Sequence, residues 1–140
     1  MSETDIEIVV VGAHLSGMPL NSELTSRGGR LLRKTQTEPS YTLSALQGGP
    51  PKRPGLLRVE KGLGHAIAVE VWSLPVAGFG AFVASVPAPL CIGTLHLSDG
   101  TTPKGFLVEP AGLVGATDIS EFGGWRAYIA SLSSSTTSAA

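Results

Sequence analysis

Cysteine is all but absent. Cys91 is the only one in 140 residues, so no intrachain disulfide can form and no Cys-X-X-Cys pair or Cys/His cluster marks a zinc site. No metal and no cofactor is expected. A surplus of charge is missing too: ten Lys and Arg against eleven Asp and Glu leave a formal net charge of −1, which argues against a dedicated nucleic-acid binder. No apolar run is long enough to span a bilayer. The opening MSETDIEI is acidic and lacks the charged-then-apolar layout of a secretion signal. These absences together point to a soluble, cytoplasmic protein. No internal repeat is visible.

Glycine and proline are plentiful instead, at 18 and 10, which implies many turns and short elements rather than a helical bundle. Apolar residues make up 42% and charged residues 15%, enough to bury a core, and the length suits one domain. Residues 131–140, SLSSSTTSAA, are small and polar and read as a disordered tail, leaving the domain at residues 1–130.

The stretch IEIVVVGAHLSGMPLN, residues 6–21, organises the rest. Its β-branched run predicts a buried strand over residues 6–11 that ends abruptly at Gly12. A polar loop follows, carrying His14, Ser16, Gly17, Pro19 and Asn21. A buried strand emptying into a Gly-containing loop is one way to hold backbone N–H groups and a side chain against a small ligand. The spacing is neither that of a dinucleotide fingerprint nor that of a P-loop. By itself His14 reads as a polar loop residue bonded to backbone.

Asn21 stands where a helix N-cap would, before a short helix over residues 22–27 that Gly28 and Gly29 stop. Strands are predicted over residues 30–37, 41–46, 55–60 and 66–74, and a helix over residues 76–85 behind Pro75. Asp99-Gly100 predicts a hairpin between strands 91–97 and 102–108. Asp118 and Glu121 are spaced as a capping box for a last helix whose apolar face is Phe122, Trp125, Tyr128 and Ile129. Arg27, Arg30, Arg33 and Lys34 form a basic cluster that reads either as a solvated face or as anion-holding cations. His65 and His96 read as surface residues. The element order predicts an α+β domain with a curled, mostly antiparallel sheet or barrel.

Six segments, in the order GAHLSGMPLN, GGPPKRPGLLRVE, AIAVEVWSLP, VPAPLCIGT, KGFLVEP and ATDISEFGGWRAYIA, resemble the C-terminal domain of allophanate hydrolases. The resemblance implies a γ-glutamylcyclotransferase-like fold: a curled mixed sheet or barrel with short helices and a ligand cavity. In that family the domain follows an amidase that converts allophanate to N-carboxycarbamate and ammonia. The domain itself is implicated in decarboxylating N-carboxycarbamate, a step in nitrogen use from urea and s-triazines. The family's catalytic His falls on His14, with Leu15, Ser16, Gly17, Pro19 and Asn21 in the same motif. Lys104 and Glu109 fall on the matching KGF…E segment. No amidase domain is present in this sequence, so either an amidase works beside it as a separate subunit or the sequence is one domain of something longer; the Met1 start favours a stand-alone protein. Cyclotransferases proper place a Glu base near the end of the central helix. The corresponding SVPAPL has no carboxylate, which argues against γ-glutamyl cyclisation.

The chemistry implied is proton delivery. N-carboxycarbamate carries two carboxylates on one nitrogen, and loss of CO₂ leaves electrons there that must meet a proton. A His suits that task. His14 is therefore expected to protonate the nitrogen or to order a water that does. The dicarboxylate needs positive partners, expected from loop N–H groups around residues 15–17 and from Lys104, Arg30 or Arg33. Asn21 and Tyr41 would add neutral hydrogen bonds. Two other readings stay open: a non-catalytic docking module for a separate amidase, and an enzyme of the same fold acting on another small acid. Oligomeric state is open, a homo-oligomer included.

Overall fold

The structure, a computed structural model, describes residues 5–138 and their side chains up to residue 132. In chain order the elements are β1 (Ile6–Val10), α1 (Ser22–Thr25), β2 (Arg30–Gln36), β3 (Tyr41–Ala45), β4 (Pro54–Arg58), β5 (Ala68–Leu74), α2 (Val76–Ala84), β6 (Leu90–Thr94), β7 (Lys104–Val108), β8 (Thr117–Asp118) and α3 (Trp125–Ser138). The order through β7 is the predicted one with shifted boundaries, β6 ending three residues early, while β8 is an additional short strand and the last helix starts later than expected. Among the described residues no helix is long and apolar enough to cross a membrane.

β1 is central because it is apolar on both faces: Ile8, Val9 and Val10 are all fully buried. It lies in a five-stranded mixed sheet of order β2-β5-β1-β7-β6, antiparallel to β5 and parallel to β7. β6 and β7 form the predicted hairpin. A second sheet, β4-β3-β8, is antiparallel. The two edges of the large sheet meet just past their ends. Thr37 bridges to Leu97, and the Ser98 amide donates to the Gln36 carbonyl, which curls the sheet toward closure. α2 packs Phe82, fully buried, into the interior beneath β1.

Four local expectations need correction. Asn21 is no N-cap: its backbone is helical and it makes no cap bond, because its side chain is drawn back to the His14 carbonyl. Asp118 and Glu121 do not box the last helix. Asp118 ends β8 and accepts from the Ser120 amide at 2.8 Å, and α3 starts only after Gly123 and Gly124, where Gly123 at φ 76° reverses the chain. Phe122 therefore lies in a separate 3-10 turn before α3. Finally, α3 runs through Ser138, across most of the stretch that reads as a tail; residues 139–140 lie outside the described residues.

Candidate active site

The loop after β1 is tightly wound. Leu15 N donates to the Gly12 carbonyl at 3.0 Å, Met18 N to the Leu15 carbonyl at 2.9 Å, and Leu20 N to the Ala13 carbonyl at 2.8 Å. Asn21 Nδ2 closes it on the His14 carbonyl at 2.9 Å. The winding turns His14 inward. Its ring stacks on Phe106 of β7, with centroids 5.1 Å apart at 17°, and stands edge-on to Phe82 of α2 at 5.1 Å and 89°. Nε2 donates to Glu23 Oε1 at 2.8 Å. A carboxylate only accepts, so Nε2 carries the hydrogen and Nδ1 of the neutral ring is an acceptor. Nδ1 has no hydrogen-bond partner among the described residues.

Burial is the main influence on this imidazole and pushes its pKa below the ordinary 6.5. The Glu23 hydrogen bond and charge pull it back up, and the cations Arg53 and Arg27 press it down again. The His14 side chain is only 11% exposed whereas Glu23 is 41% exposed, so Glu23 links the buried ring to solvent.

His14 also lines a small, partly open cavity of about 20 Å³, together with Val11, Gly12, Ala13, Arg53, Pro54, Leu90 and Phe106. That volume holds roughly one water-sized group. Gly12 has no alternative here, because a Cβ would strike the Pro54 ring. Arg53 Nε is buried with no hydrogen-bond partner among the described residues, a condition that costs a protein about 1–3 kcal/mol. Two unmatched polar groups, Arg53 Nε and His14 Nδ1, thus belong to residues walling one small, otherwise apolar space.

Of the residues expected around His14, few meet it. Asn21 does, as a brace. The Leu15 amide is occupied by Gly12 and the Ser16 amide by Glu70, so neither is free for an anion. The Leu15 side chain is core. Gly17 sits exposed at the loop tip with φ 81°. Arg33 is held on the sheet edge by Glu7, Asp99 and Thr101. Tyr41 is fully buried and its hydroxyl accepts from the His96 amide at 2.9 Å, which makes it a strut. Lys104 donates to Thr94 at 2.9 Å on the exposed hairpin. Glu109 is exposed and leads a 3-10 turn at residues 110–113; its charge adds to the burial that raises the Cys91 thiol pKa. The partners that do meet His14, Glu23 and Arg53, carry no sequence signal of pairing, since each comes from another element.

A second polar cluster grips the same loop. Glu70, 2% exposed on β5, accepts from Ser16 N at 2.8 Å, Ser16 Oγ at 2.8 Å, Trp72 Nε1 at 3.0 Å and Arg126 Nη2 at 2.9 Å. Burial alone would raise its pKa, but the four donors outweigh it and hold the carboxyl below its ordinary 4.5. A carboxylate amid the apolar AIAVEVW was a legible signal, because a buried charge must be paired. Among the described residues no group of three or more His, Cys, Asp and Glu could hold a metal ion.

With the geometry in place, comparison with known proteins is informative. The family model for the allophanate hydrolase C-terminal domain matches residues 6–130. The urea amidolyase of Saccharomyces cerevisiae is 44% identical over 128 residues, which is 89% of this chain and 7% of that protein. The chain therefore spans less than a tenth of that curated relative. The crystal structure of the K. lactis urea amidolyase superposes at a TM-score of 0.89 with 41% identity, covering 92% of this chain and 8% of that one. A uropathogenic E. coli-specific protein, c4763, matches at 0.84 and 35% identity, over 91% of this chain and 98% of its own. An AIG2-like protein from Mus musculus, 18% identical at a TM-score of 0.55, shares the fold alone.

Proposed function

The chain belongs to the allophanate hydrolase C-terminal domain family, and from that premise we propose that it releases CO₂ from N-carboxycarbamate, with His14 delivering the proton. One observation carries the reading: a buried imidazole, bonded on one side to a solvent-linked carboxylate, with its other nitrogen unpartnered and a cavity at its side. In the step, one N–C bond breaks and its carbon leaves as CO₂. The electron pair stays on nitrogen and takes a proton, leaving carbamate. His14 as imidazolium supplies that proton from Nδ1, and Glu23 stabilises the cation that must form first. Such general acid catalysis contributes about 10²–10⁴-fold.

The test is stopped-flow detection of CO₂, with the substrate generated in place by an amidase core lacking its own C-terminal domain. Addition of this chain is expected to speed release above the spontaneous rate, and His14→Gln to abolish the gain. An unchanged trace on adding the wild-type chain would remove the decarboxylase reading.

A second reading is a docking module for an amidase. It is favoured by the relatives' being segments of much longer chains and by an apolar groove of about 570 Å³ beside the site loop, lined by Met18, Pro19, Leu20, Pro50, Pro51 and Ile129 among others. Amidase activity that rises on adding either the wild-type chain or its His14→Gln variant, without faster CO₂ release, would favour it.

A further inference from the structure

We propose that Arg53 is the residue that binds the substrate's carboxylate, holding a small carboxylate between its guanidinium and His14. The inference deepens the reading of the His14 site and rests on it. The cations expected for this role are engaged elsewhere: Arg33 by Glu7 and Asp99, and Lys104 by Thr94. Arg27 is nearer, yet its guanidinium donates to the Glu23 carbonyl and sits 6.0 Å over the Phe82 ring. Arg126 is bound to Glu70 and Ser16. Arg53 alone of these lines the cavity with His14, and its Nε is buried without an acceptor.

An unmatched, buried, permanently charged donor calls for an anionic acceptor. The remaining walls, Val11, Pro54, Leu90 and Phe106, are apolar, so the attraction is little screened by water. The space takes about one small polar group, so a single carboxylate of the ligand enters between Arg53 and His14 and the rest of a small dicarboxylate lies at the cavity's open mouth. A planar guanidinium matches a carboxylate in a fork that a Lys cannot reproduce. Binding also has an electrostatic consequence. Arg53 disfavours the His14 imidazolium; a carboxylate bound to Arg53 cancels that charge and brings negative charge to the ring. Substrate binding then draws a proton onto His14, so the acid is made when it is needed.

Malonate is the probe, because a methylene replaces the reacting nitrogen and the two carboxylates remain. Calorimetry on the full chain is expected to show one malonate site with uptake of a proton. NMR titration is expected to show the His14 resonance, identified by its loss in His14→Gln, moving to a higher pKa when malonate is present. Arg53→Lys should weaken binding about 10-fold, and Arg53→Gln about 100-fold. In Arg53→Gln, malonate should no longer shift His14. If Arg53→Gln destabilises the fold, the charge-preserving Arg53→Lys decides. Malonate binding equal to wild type in that variant, or a His14 titration indifferent to malonate in the wild-type chain, overturns the proposal.

CO₂ release measured beside it separates the two claims. Acceleration that survives Arg53→Gln leaves the decarboxylase standing and removes Arg53. Arg53-dependent malonate binding without acceleration keeps the carboxylate site and removes the decarboxylase.

Discussion

The loop between β1 and α1 is gripped by two polar clusters built on opposite principles. At Glu70 every acceptor is matched: two donors come from Ser16, one from Trp72 and one from Arg126. At His14 one nitrogen is matched by Glu23, while Nδ1 and the neighbouring Arg53 Nε have no partner among the described residues. A saturated cluster has nothing left to offer a ligand, and its free energy lies in holding backbone and side chains in place. An unsaturated one retains hydrogen bonds for something that arrives, at a standing cost to the fold. Two buried ionisable groups at the same loop, His14 on it and Glu70 gripping it from β5, can therefore be sorted into chemistry and scaffold by asking which still has unmatched atoms around it.

The largest expected effect tests the scaffold side. Glu70→Ala removes a buried carboxylate and leaves Ser16 N and Trp72 Nε1 without acceptors, which should cost about 3 kcal/mol in urea denaturation. Glu70→Gln should cost less, since an amide oxygen still accepts. His14→Gln inverts the pattern: stability within about 1 kcal/mol of wild type, and loss of roughly 10²-fold or more of the CO₂ acceleration. If Glu70→Gln removed acceleration while leaving the denaturation curve unmoved, the division between the clusters would be wrong.

Acid should separate the clusters by pH. His14 has a lowered pKa in the fold, so the unfolded chain takes up its proton first. Stability is fully present above about 6.5 and is lost as pH falls from there through the folded value. Glu70 is also lowered, so its contribution is intact above about 4.5 and is lost as pH falls through its folded value. Unfolding free energies measured from pH 8 to pH 3 should fall in two stages, each with a slope of at most about 1.4 kcal/mol per pH unit. His14→Gln should flatten the upper stage and Glu70→Gln the lower.

What could be read in advance follows the same division. Periodicity and turn residues are local, and they located β1, the β6–β7 hairpin, α2 and the loop that carries His14. Polar pairing is tertiary, and it was largely hidden. Within the basic cluster Arg33 is ion-paired because Glu7 of β1 and Asp99 of the hairpin turn come to it from distant parts of the chain. Tyr41 alternates correctly toward the interior, but alternation does not say that the interior there is the His96 amide rather than a ligand. Glu23 meets His14 only because the loop folds back on itself. Arg53 meets it only because the Pro-rich segment crosses Gly12, where the absence of a side chain lets Pro54 approach. Tyr41→Phe tests that correction: it should cost about 1 kcal/mol through the orphaned His96 amide and leave CO₂ release unchanged, whereas a loss of turnover would return Tyr41 to the site.

The smallest effect probes where the two clusters touch. Arg126 caps the Glu70 cluster from α3, donating through Nη2 to Glu70 Oε2 and to the Ser16 carbonyl and hydroxyl oxygens. Its side chain is 47% exposed, so water and salt screen its charge, and Arg126→Ala should cost less than about 1 kcal/mol. Glu70 keeps three donors in that variant, two of them from Ser16, and these pin the loop without help from α3. His14 should then hold its place between Phe82 and Phe106, and CO₂ acceleration should stay within about twofold of wild type, a barrier change of roughly 0.4 kcal/mol. A tenfold drop with little loss of stability would mean that α3 sets the position of the imidazole through Ser16. The saturated cluster would then be part of the catalytic geometry rather than its support.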